Sequence, residues 1–407
     1  MIRRRNPRFY KGEWRDILSL IFKGKVAEGD HVNLFEQRFA SYIGAKFAIA
    51  TCSGRNGMEL ALDALGIGEG KEVIVPAYTL KDLIKLMEKK GISPVLVDVE
   101  RDSFNIDPVK IESKITSQTR AIIATHIFGV PCDVEKIREI ADRHGLKVLE
   151  DCAHVAGASF KGKKLGTFGD AAFFSFEMIK PLNTFGGGMV LTNDERLAEN
   201  IRDRIEGYPA APWKVLRKIM FLCAENLVIQ SPLFPLLIRM FTSNLRASTE
   251  AYQKLHSGAK SIQVRYANIQ AFVALKQMDE LEANNAKRTE ASNKLTKMLQ
   301  ENIKLQKVPD EGGRTFYFYV VRTDGKKPIE DVRKDLLSCG VDAGIGEEIT
   351  DDCSLLSGYG DDYPVTEELY RCNLQLPMYD SLKDEDIALI TSTLNKACPT
   401  STGGEKA

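Results

Sequence analysis

The chain lacks a long uninterrupted apolar run. Of its 407 residues, 43% are apolar and 28% are charged, which is close to the average for globular proteins. Arg15 and Asp16 interrupt the first hydrophobic stretch, so the continuous apolar segment of a secretory signal is not formed. We therefore expect a folded cytoplasmic protein, long enough for two or three domains.

The chain also lacks a surplus of charge of either sign and a pattern of metal ligands. Lys plus Arg and Asp plus Glu both number 56, which offers no overall attraction for a nucleic acid. The eight cysteines stand singly, without a C-x-x-C pair, so neither a zinc site nor a redox dithiol is indicated. The five histidines show no spacing typical of metal ligands. We expect neither a metal nor a nucleic-acid partner.

What the sequence does contain, between residues 47 and 192, is an alternation of short apolar runs with amphipathic segments. This alternation predicts an α/β fold with a mostly parallel seven-stranded sheet sandwiched by helices. The predicted strands are Phe47–Thr51, Glu72–Val75, Ser93–Val97, Thr119–Thr125, Lys147–Glu150, Ala171–Phe176 and Gly188–Thr192. The predicted helices between them include Asn56–Leu65, Thr79–Lys90 and Val134–His144.

The last third of the chain has a different pattern. Ile262–Leu299 contains no Pro or Gly and carries apolar residues at helical spacing, which predicts one long amphipathic helix. After this helix in the chain, we expect a strand at Thr315–Arg322 and helices at Asp331–Ser338 and Asp384–Lys396. The sequence thus predicts a large α/β domain over residues 1–261, followed by the bridging helix and a smaller α+β domain over residues 262–407.

An unusually apolar stretch, Trp213–Phe241, belongs to an insertion at about residues 207–260. Its two apolar clusters, Ile219–Ala224 and Leu233–Ile238, are separated by polar residues and prolines, and neither is long enough to cross a bilayer. Two interpretations remain open: helices that pack on the body of the protein or on a dimer partner, or a patch that rests weakly on a membrane surface. The cations that favour the second are Lys214, Arg217, Lys218 and Arg239.

Polar residues follow three of the predicted strands, at the edge of a parallel sheet where ligands gather. Ser53-Gly54-Arg55 follows the first strand and opens a helix. The free N–H groups and the positive dipole end of a helix start suit a phosphate, and Arg55 can add a charge-assisted contact. A simple helix cap at Ser53 is the alternative.

Asp151 and Lys180 follow two further strands. A carboxylate such as Asp151 at the mouth of a buried strand is costly without a cationic partner, and a protonated pyridine nitrogen is such a partner; a helix cap explains Asp151 equally well. Lys180 follows Ala171–Phe176 and precedes Gly186-Gly187-Gly188. A lysine in this setting can be desolvated enough to lose its proton near neutral pH, which Schiff-base chemistry requires.

In order and spacing, these motifs resemble the DegT/DnrJ/StrS family of pyridoxal-phosphate-dependent sugar aminotransferases. The motifs that carry the resemblance are Ser53-Gly54, Glu150-Asp151-Cys152-Ala153-His154 and Phe174-Ser175-Phe176 with Lys180 and the three glycines. The resemblance extends over nearly the whole chain, through Phe35-Glu36, Asp98, Asn105–Pro108, His126–Gly129, Asp133, Arg265–Gln270 and Leu376–Tyr379.

The resemblance implies a fold-type-I homodimer that holds pyridoxal 5'-phosphate in active sites shared between the subunits. It assigns Lys180 as the catalytic Schiff-base lysine and Asp151 as the partner of the pyridine nitrogen. The cofactor-binding residues it implies are Ser53, Gly54, Arg55, Leu80, Asp151, His154, Ser175, Lys180 and, from the other subunit, Gln263. The implied reaction moves an amino group from glutamate or glutamine to a keto sugar, usually nucleotide-linked, in polysaccharide or secondary-metabolite biosynthesis.

Several positions depart from the residues usual in that family. Thr is usual where Arg55 stands, an aromatic ring near Leu80, Gln at His154, Glu at Gly186 and Asn at Gln263. Two other hypotheses therefore remain: a non-catalytic regulatory or binding protein on the same scaffold, and a pyridoxal-phosphate-dependent sugar dehydratase. The dehydrating relatives carry histidine in place of the lysine, so Lys180 argues against the second.

Overall fold

The computed structural model describes residues 1–4, 6, 9–177, 180–231, 263–360 and 362–400. The strands are β1 (Phe47–Thr51), β2 (Glu72–Pro76), β3 (Tyr78–Thr79), β4 (Ser93–Val97), β5 (Thr119–Thr125), β6 (Lys147–Asp151), β7 (Ser159–Phe160), β8 (Lys163–Lys164), β9 (Ala171–Ser175), β10 (Gly188–Thr192), β11 (Lys304–Leu305), β12 (Gly312–Gly313), β13 (Tyr319–Arg322), β14 (Gly344–Ile345), β15 (Asp351–Asp352) and β16 (Asn373–Leu376). The α-helices are α1 (Glu13–Phe22), α2 (His31–Ile43), α3 (Gly54–Ala64), α4 (Lys81–Lys89), α5 (Pro108–Ile111), α6 (Val134–His144), α7 (Glu195–Glu206), α8 (Pro212–Gln230), α9 (Asn268–Met278), α10 (Leu281–Met298), α11 (Ile329–Ser338), α12 (Pro364–Cys372) and α13 (Asp384–Ala397).

A seven-stranded sheet has the order β1-β10-β9-β6-β5-β2-β4. The four pairs from β9 to β4 are parallel, whereas β10 is antiparallel to both of its neighbours. All seven predicted strands take part, so the predicted mostly parallel sheet is confirmed. Because β5, β6 and β9 run in the same direction, their carboxyl ends meet at one edge.

Both faces of this sheet are buried, because successive side chains of a strand point to opposite faces. In β2, Ile74 packs in one apolar cluster, whereas Val73 and Val75 pack in another. Helices α2, α6 and α9 cover the first face, and α3, α4 and α7 cover the second. The helical sandwich around the sheet is therefore also confirmed.

A second, antiparallel sheet has the order β11-β13-β16-β14 and lies within residues 304–376. Its apolar side chains share a third cluster with residues of α10, α11 and α13, which forms the smaller α+β unit. Ile2 joins this cluster and pairs with Val341, so the first residues of the chain lie on the smaller unit. The domain boundary at residues 261 and 262 stays a prediction.

The prediction of one long helix over Ile262–Leu299 is wrong. Ile262 lies outside the described residues, α9 ends at Met278, and α10 begins at Leu281. The break has a packing reason: α9 buries side chains in the cluster of the large sheet, whereas α10 buries Leu295 in the cluster of the small one. Two helices can follow these two surfaces, whereas one straight helix cannot.

Two other predicted elements are shorter than expected. Thr79 belongs to β3, which pairs with β15, and Leu80 has extended dihedral angles (φ −80°, ψ 119°), so α4 begins only at Lys81. The strand predicted at Thr315 begins at Tyr319, because the N–H of Thr315 donates to Gly129 instead of to a strand.

The apolar insertion begins with α8, and its second apolar cluster, Leu233–Ile238, and Arg239 lie outside the described residues. Among the helices that the structure describes, none is long and apolar enough to span a bilayer.

Candidate active site

The turn between β1 and α3 forms one end of the candidate site. Ser53 has extended dihedral angles, and its hydroxyl accepts the N–H of Asn56 at 3.1 Å, so it is a helix cap. The first-turn N–H groups of Gly54 and Arg55 have no acceptor within the helix. The cap explanation for Ser53 is therefore confirmed, and an anion site at the same helix start stays a prediction.

Glycines let the backbone of this turn lie against two strands. A Cβ on Gly188 would lie 2.6 Å from the amide nitrogen of Gly54, and a Cβ on Gly54 would lie 3.0 Å from the Cβ of Ser175. Ser53 also forms a parallel bridge with Gly187. The helix start, the hydroxyl-bearing end of β9 and the start of β10 therefore form a tight cradle that side chains would fill. Its donors and its shape fit a phosphate.

The segment from Lys180 to Gly187 connects β9 to β10 through a strained turn. Phe185 has φ 58°, and Gly186 and Gly187 both have φ 105°, a region that glycine adopts at little cost. The side-chain amide of Gln270, on α9, donates to the carbonyl groups of Thr184 and Gly186 at 3.0 and 2.9 Å. The turn is thus fixed to α9, which fixes the position of the lysine segment.

Asp151 ends β6 and is 6% exposed. Its Oδ1 accepts the N–H of Ala153 at 3.0 Å, as in the predicted cap. Burial raises the pKa of this carboxyl above its ordinary value, although that hydrogen bond and the charge of Lys180 oppose the rise. A further cation against Asp151, such as a protonated pyridine nitrogen, would stabilise its ionised form.

A buried network fixes the strand ends beside Asp151. Glu150 accepts the N–H groups of Gly166, Phe168 and Gly169 at 2.7–2.8 Å, and His126 Nε2 lies 3.2 Å from its Oε2. With Cys152, these two side chains place three possible metal-ligand atoms within 4.8 Å of one another. Because His126 Nδ1 already accepts the N–H of Cys132, and the Glu150 oxygens accept backbone N–H groups, we interpret this cluster as structural.

His154 lies over the lysine segment in a stack of aromatic rings. Its ring stacks on Tyr317 at 4.6 Å between centroids, and Lys180 Nζ lies 4.0 Å from the centroid of the same tyrosine. Burial and the charge of Lys180 hold the pKa of His154 well below 6.5. His154 Nδ1 accepts the N–H of Phe128 at 3.2 Å, so the neutral ring carries its proton on Nε2.

Arg55 lies in the first turn of α3, and Leu80 directly precedes α4. The Arg55 guanidinium pairs with Asp82, on α4, so its charge is already partly neutralised. Leu80 is 39% exposed, as expected for a residue that faces a ligand or the entrance. Leu80 therefore offers an apolar side chain, and not an aromatic ring, at this position.

Gln263 is the predicted residue that the single chain does not bring into the site. Its side chain is exposed, and the main chain of the next residue, Val264, lies against the thiol of Cys52. The structure thus gathers Ser53, Gly54, Ser175, Asp151, His154 and Lys180 along one edge of the large sheet and leaves Gln263 on the surface.

The sequence analysis assigned no role in the site to three residues that the structure places near the lysine segment: Tyr317, Lys218 and Gln270. Tyr317 comes from the segment before β13, and Lys218 Nζ on α8 bonds both carboxylate oxygens of Glu177 at 2.9 and 3.2 Å. All three are far from Lys180 along the chain, so no local spacing could reveal them. The aromatic run Phe316–Tyr319 was visible, but its role depends on where the C-terminal unit docks.

Comparisons with known proteins identify the family of this chain. Residues 11–395 match the sequence model of the DegT/DnrJ/EryC1/StrS aminotransferase family. The chain is 30% identical over 405 residues to the spore coat polysaccharide biosynthesis protein SpsC of Bacillus subtilis, covering 95% of this chain and 96% of SpsC. It is 31% identical over 399 residues to the dTDP-3-amino-3,6-dideoxy-alpha-D-galactopyranose transaminase of Aneurinibacillus thermoaerophilus, covering 97% and 98%.

Among solved structures, the aminotransferase TlmJ of Streptoalloteichus hindustanus has the same fold, with a TM-score of 0.78, 21% identity and 98% coverage of both chains. Pyridoxal phosphate is the cofactor of this class of enzyme, and a neighbouring sugar aminotransferase structure of Streptococcus pneumoniae is described in its PLP form. From the match over residues 11–395 and the fold, the chain belongs to the DegT/DnrJ/EryC1/StrS aminotransferase family.

Proposed function

We propose that this protein moves an amino group from glutamate or glutamine to a keto sugar that is linked to a nucleotide. The product would serve polysaccharide or secondary-metabolite biosynthesis. Support comes from the family, from full-length similarity to the transaminase named above and to SpsC, and from one observation that carries the proposal. The charge of Lys180 acts on the buried Asp151 carboxyl, at the sheet edge that also holds the glycine cradle.

Each residue of the site has a proposed task toward the cofactor. The N–H groups of Gly54 and Arg55, with the Ser53 and Ser175 hydroxyls, would hold the phosphate. Asp151 would pair with the pyridine nitrogen, while His154 and Leu80 would border the ring. When bound, pyridoxal phosphate supplies an aldehyde and an electron-withdrawing ring that stabilises negative charge on the carbon next to the amino group.

Lys180 is the proposed attachment point and proton carrier. Its Nζ lies over the Tyr317 ring, a position that favours an ammonium ion by a cation–π contact. The Nζ amine would take the proton from the substrate carbon that bears the amino group and would give it to the carbon on the other side of the amino nitrogen. Asp151 would support this step, because a charged carboxylate would keep the pyridine nitrogen protonated.

A homodimer with shared sites is proposed from the exposed position of Gln263. If Gln263 completes the partner's site, a Lys180→Ala subunit and a Gln263→Ala subunit can complement each other. The mixed dimer then contains one site with both native residues. Each variant alone should be impaired, and the mixture should regain activity. Impaired variants that regain none on mixing would place Gln263 in its own subunit's site or outside any site.

The apolar insertion supports a second, separate proposal of a weak membrane-surface contact of a cytoplasmic enzyme. On α8, Trp213, Met220, Leu227 and Val228 are 59%, 65%, 72% and 50% exposed, and their spacing places them on one face of the helix. Arg217 lies over the Trp213 ring at 5.3 Å. Flotation with vesicles rich in anionic lipid tests the contact. If the protein stays at the bottom of the gradient, the membrane contact is excluded, and a dimer partner is then the surface that covers α8.

The transferase activity is tested with a panel of amino donors and keto-sugar acceptors, read by mass spectrometry. We expect a product in which an amino group replaces the keto oxygen. A product that has lost water without gaining nitrogen would instead identify a dehydratase. Cofactor binding without any spectral change on addition of glutamate or glutamine would favour the non-catalytic alternative.

A further inference from the structure

Lys218 reaches from the apolar insertion to the proposed phosphate cradle. A Cβ placed on Gly186 would lie only 2.2 Å from Lys218 Nζ, so this ammonium occupies the space above the backbone of that glycine. The next residue, Gly187, forms the bridge to Ser53, the cap of α3. A cation on α8 therefore lies over the residue that precedes Gly187, which bridges to the cradle.

Two carboxylates pair with the cations around this cradle. Lys218 bonds both oxygens of Glu177, and both side chains are partly exposed (43% and 42%). Arg55 pairs with Asp82. Desolvation raises the pKa of Glu177, but Lys218, Arg55 and Lys180 outweigh it and leave the pKa below its ordinary value. All three cations therefore act on one carboxylate.

We propose that Lys218 is a phosphate-binding residue of the cofactor site, and that Glu177 competes with the phosphate for it. The proposal rests on the proposed placement of the cofactor phosphate at the start of α3. A phosphate monoester carries almost two negative charges at neutral pH and accepts several hydrogen bonds. When it enters the cradle, Lys218 can turn from Glu177 toward the phosphate by rotation of its own flexible side chain.

This competition makes a prediction that a structural ion pair does not. If the pair only fastens α8 to the lysine segment, removing either partner breaks the same contact and weakens cofactor binding in the same direction. If Lys218 binds phosphate, removing its charge weakens binding, whereas removing the charge of Glu177 strengthens it, because one repulsive carboxylate is lost and Lys218 is released.

The experiment titrates apo protein with pyridoxal phosphate and, separately, with pyridoxal, which lacks the phosphate. The variants are Lys218→Met, which keeps the apolar stem, Lys218→Arg, which keeps the charge, and Glu177→Gln. Lys214→Met, one turn earlier on the same helix, is the control. Binding is followed by the visible absorption of the attached cofactor and confirmed by calorimetry, so no turnover is needed.

We expect Lys218→Met to bind pyridoxal phosphate about tenfold more weakly than the native protein, a change on the scale of one charge-assisted hydrogen bond. Pyridoxal binding should change by about twofold or less, because the lost contact is with the phosphate. Lys218→Arg should retain most of the affinity, Glu177→Gln should bind about threefold to tenfold more tightly, and Lys214→Met should match the native protein.

Equal losses for both ligands in Lys218→Met, or weaker binding in Glu177→Gln, would overturn the inference and make the pair structural. The proposed function would survive that result, because its own test is transfer of an amino group. If native protein binds no pyridoxal phosphate, the proposed function fails and the inference fails with it.

Discussion

Replacement of Gly188 by alanine tests whether the cradle is held together by close backbone contact. The new Cβ would lie 2.6 Å from three atoms: the amide nitrogen of Gly54, the carbonyl oxygen of Phe174 and the carbonyl carbon of Ser53. Ordinary contacts begin at 3.4 Å, so the backbone must open by about 0.8 Å, the difference between the two distances. All three atoms are backbone, so no side-chain rotation can relieve the contact.

The size of the effect follows from this geometry. Overpacking of a filled interior costs roughly 1–3 kcal/mol, and a clash with three backbone atoms places Gly188→Ala at the upper end. Gly54→Ala is milder, because its Cβ would lie 3.0 Å from Ser175 Cβ and 3.2 Å from the Phe174 oxygen; we expect about 1 kcal/mol. Gly68→Ala is the control, because nothing lies within 4 Å of its Cβ.

The assay combines urea unfolding of the apo proteins with titration by pyridoxal phosphate. Stability and cofactor affinity should fall in the order Gly68→Ala, Gly54→Ala, Gly188→Ala, with the control equal to the native protein. Displacement of binding groups by about 1 Å can cost on the order of 100-fold in function, so the affinity loss in Gly188→Ala should be large. Native stability and affinity in Gly188→Ala would refute the cradle.

Three further predictions concern the aromatic stack and the buried acid. Asp151→Asn should lower kcat by about 10- to 100-fold in steady-state assays, since a charged partner of the pyridine nitrogen is lost; unchanged kcat would assign Asp151 to capping alone. Tyr317→Phe should keep kcat within about threefold, whereas Tyr317→Leu should lose about tenfold, because the ring face under Lys180 is removed; equal kcat values would exclude that contact. His154 has a folded-state pKa well below its unfolded value of 6.5, so below that pH only the unfolded chain gains the proton and stability falls. His154→Gln should remove up to about 1.4 kcal/mol of that loss per pH unit in urea unfolding, and a variant that keeps the native pH dependence would contradict this assignment.

Local patterns were enough to predict much of the fold and the site. Each strand of the large sheet is a short apolar run that is visible in its own residues. The predicted ends at Glu150 and Phe176 each lie one residue from the observed ends at Asp151 and Ser175. The turn at Ser53-Gly54 was recognisable because a cap and a glycine precede a helical pattern. These features depend on neighbours along the chain.

The remaining features depend on contacts between distant segments. The break after Met278 arises because α9 and α10 pack on different cores, which the helical spacing of the sequence does not record. Tyr317 joins Lys180 only when the C-terminal unit docks, and Lys218 meets Glu177 only when α8 folds back over the lysine segment. Gln263 is exposed in the single chain, so its proposed role in the site depends on a second chain.

The central claim is that Lys180 forms the covalent link to pyridoxal phosphate. Borohydride reduction of the holoenzyme, followed by peptide mass spectrometry, tests it most directly, because reduction makes the link permanent. The account predicts the added mass of the reduced cofactor on Lys180 and no labelling in Lys180→Ala. A label on Lys218, the other ammonium beside the cradle, or a holoenzyme without any labelled lysine, would contradict it.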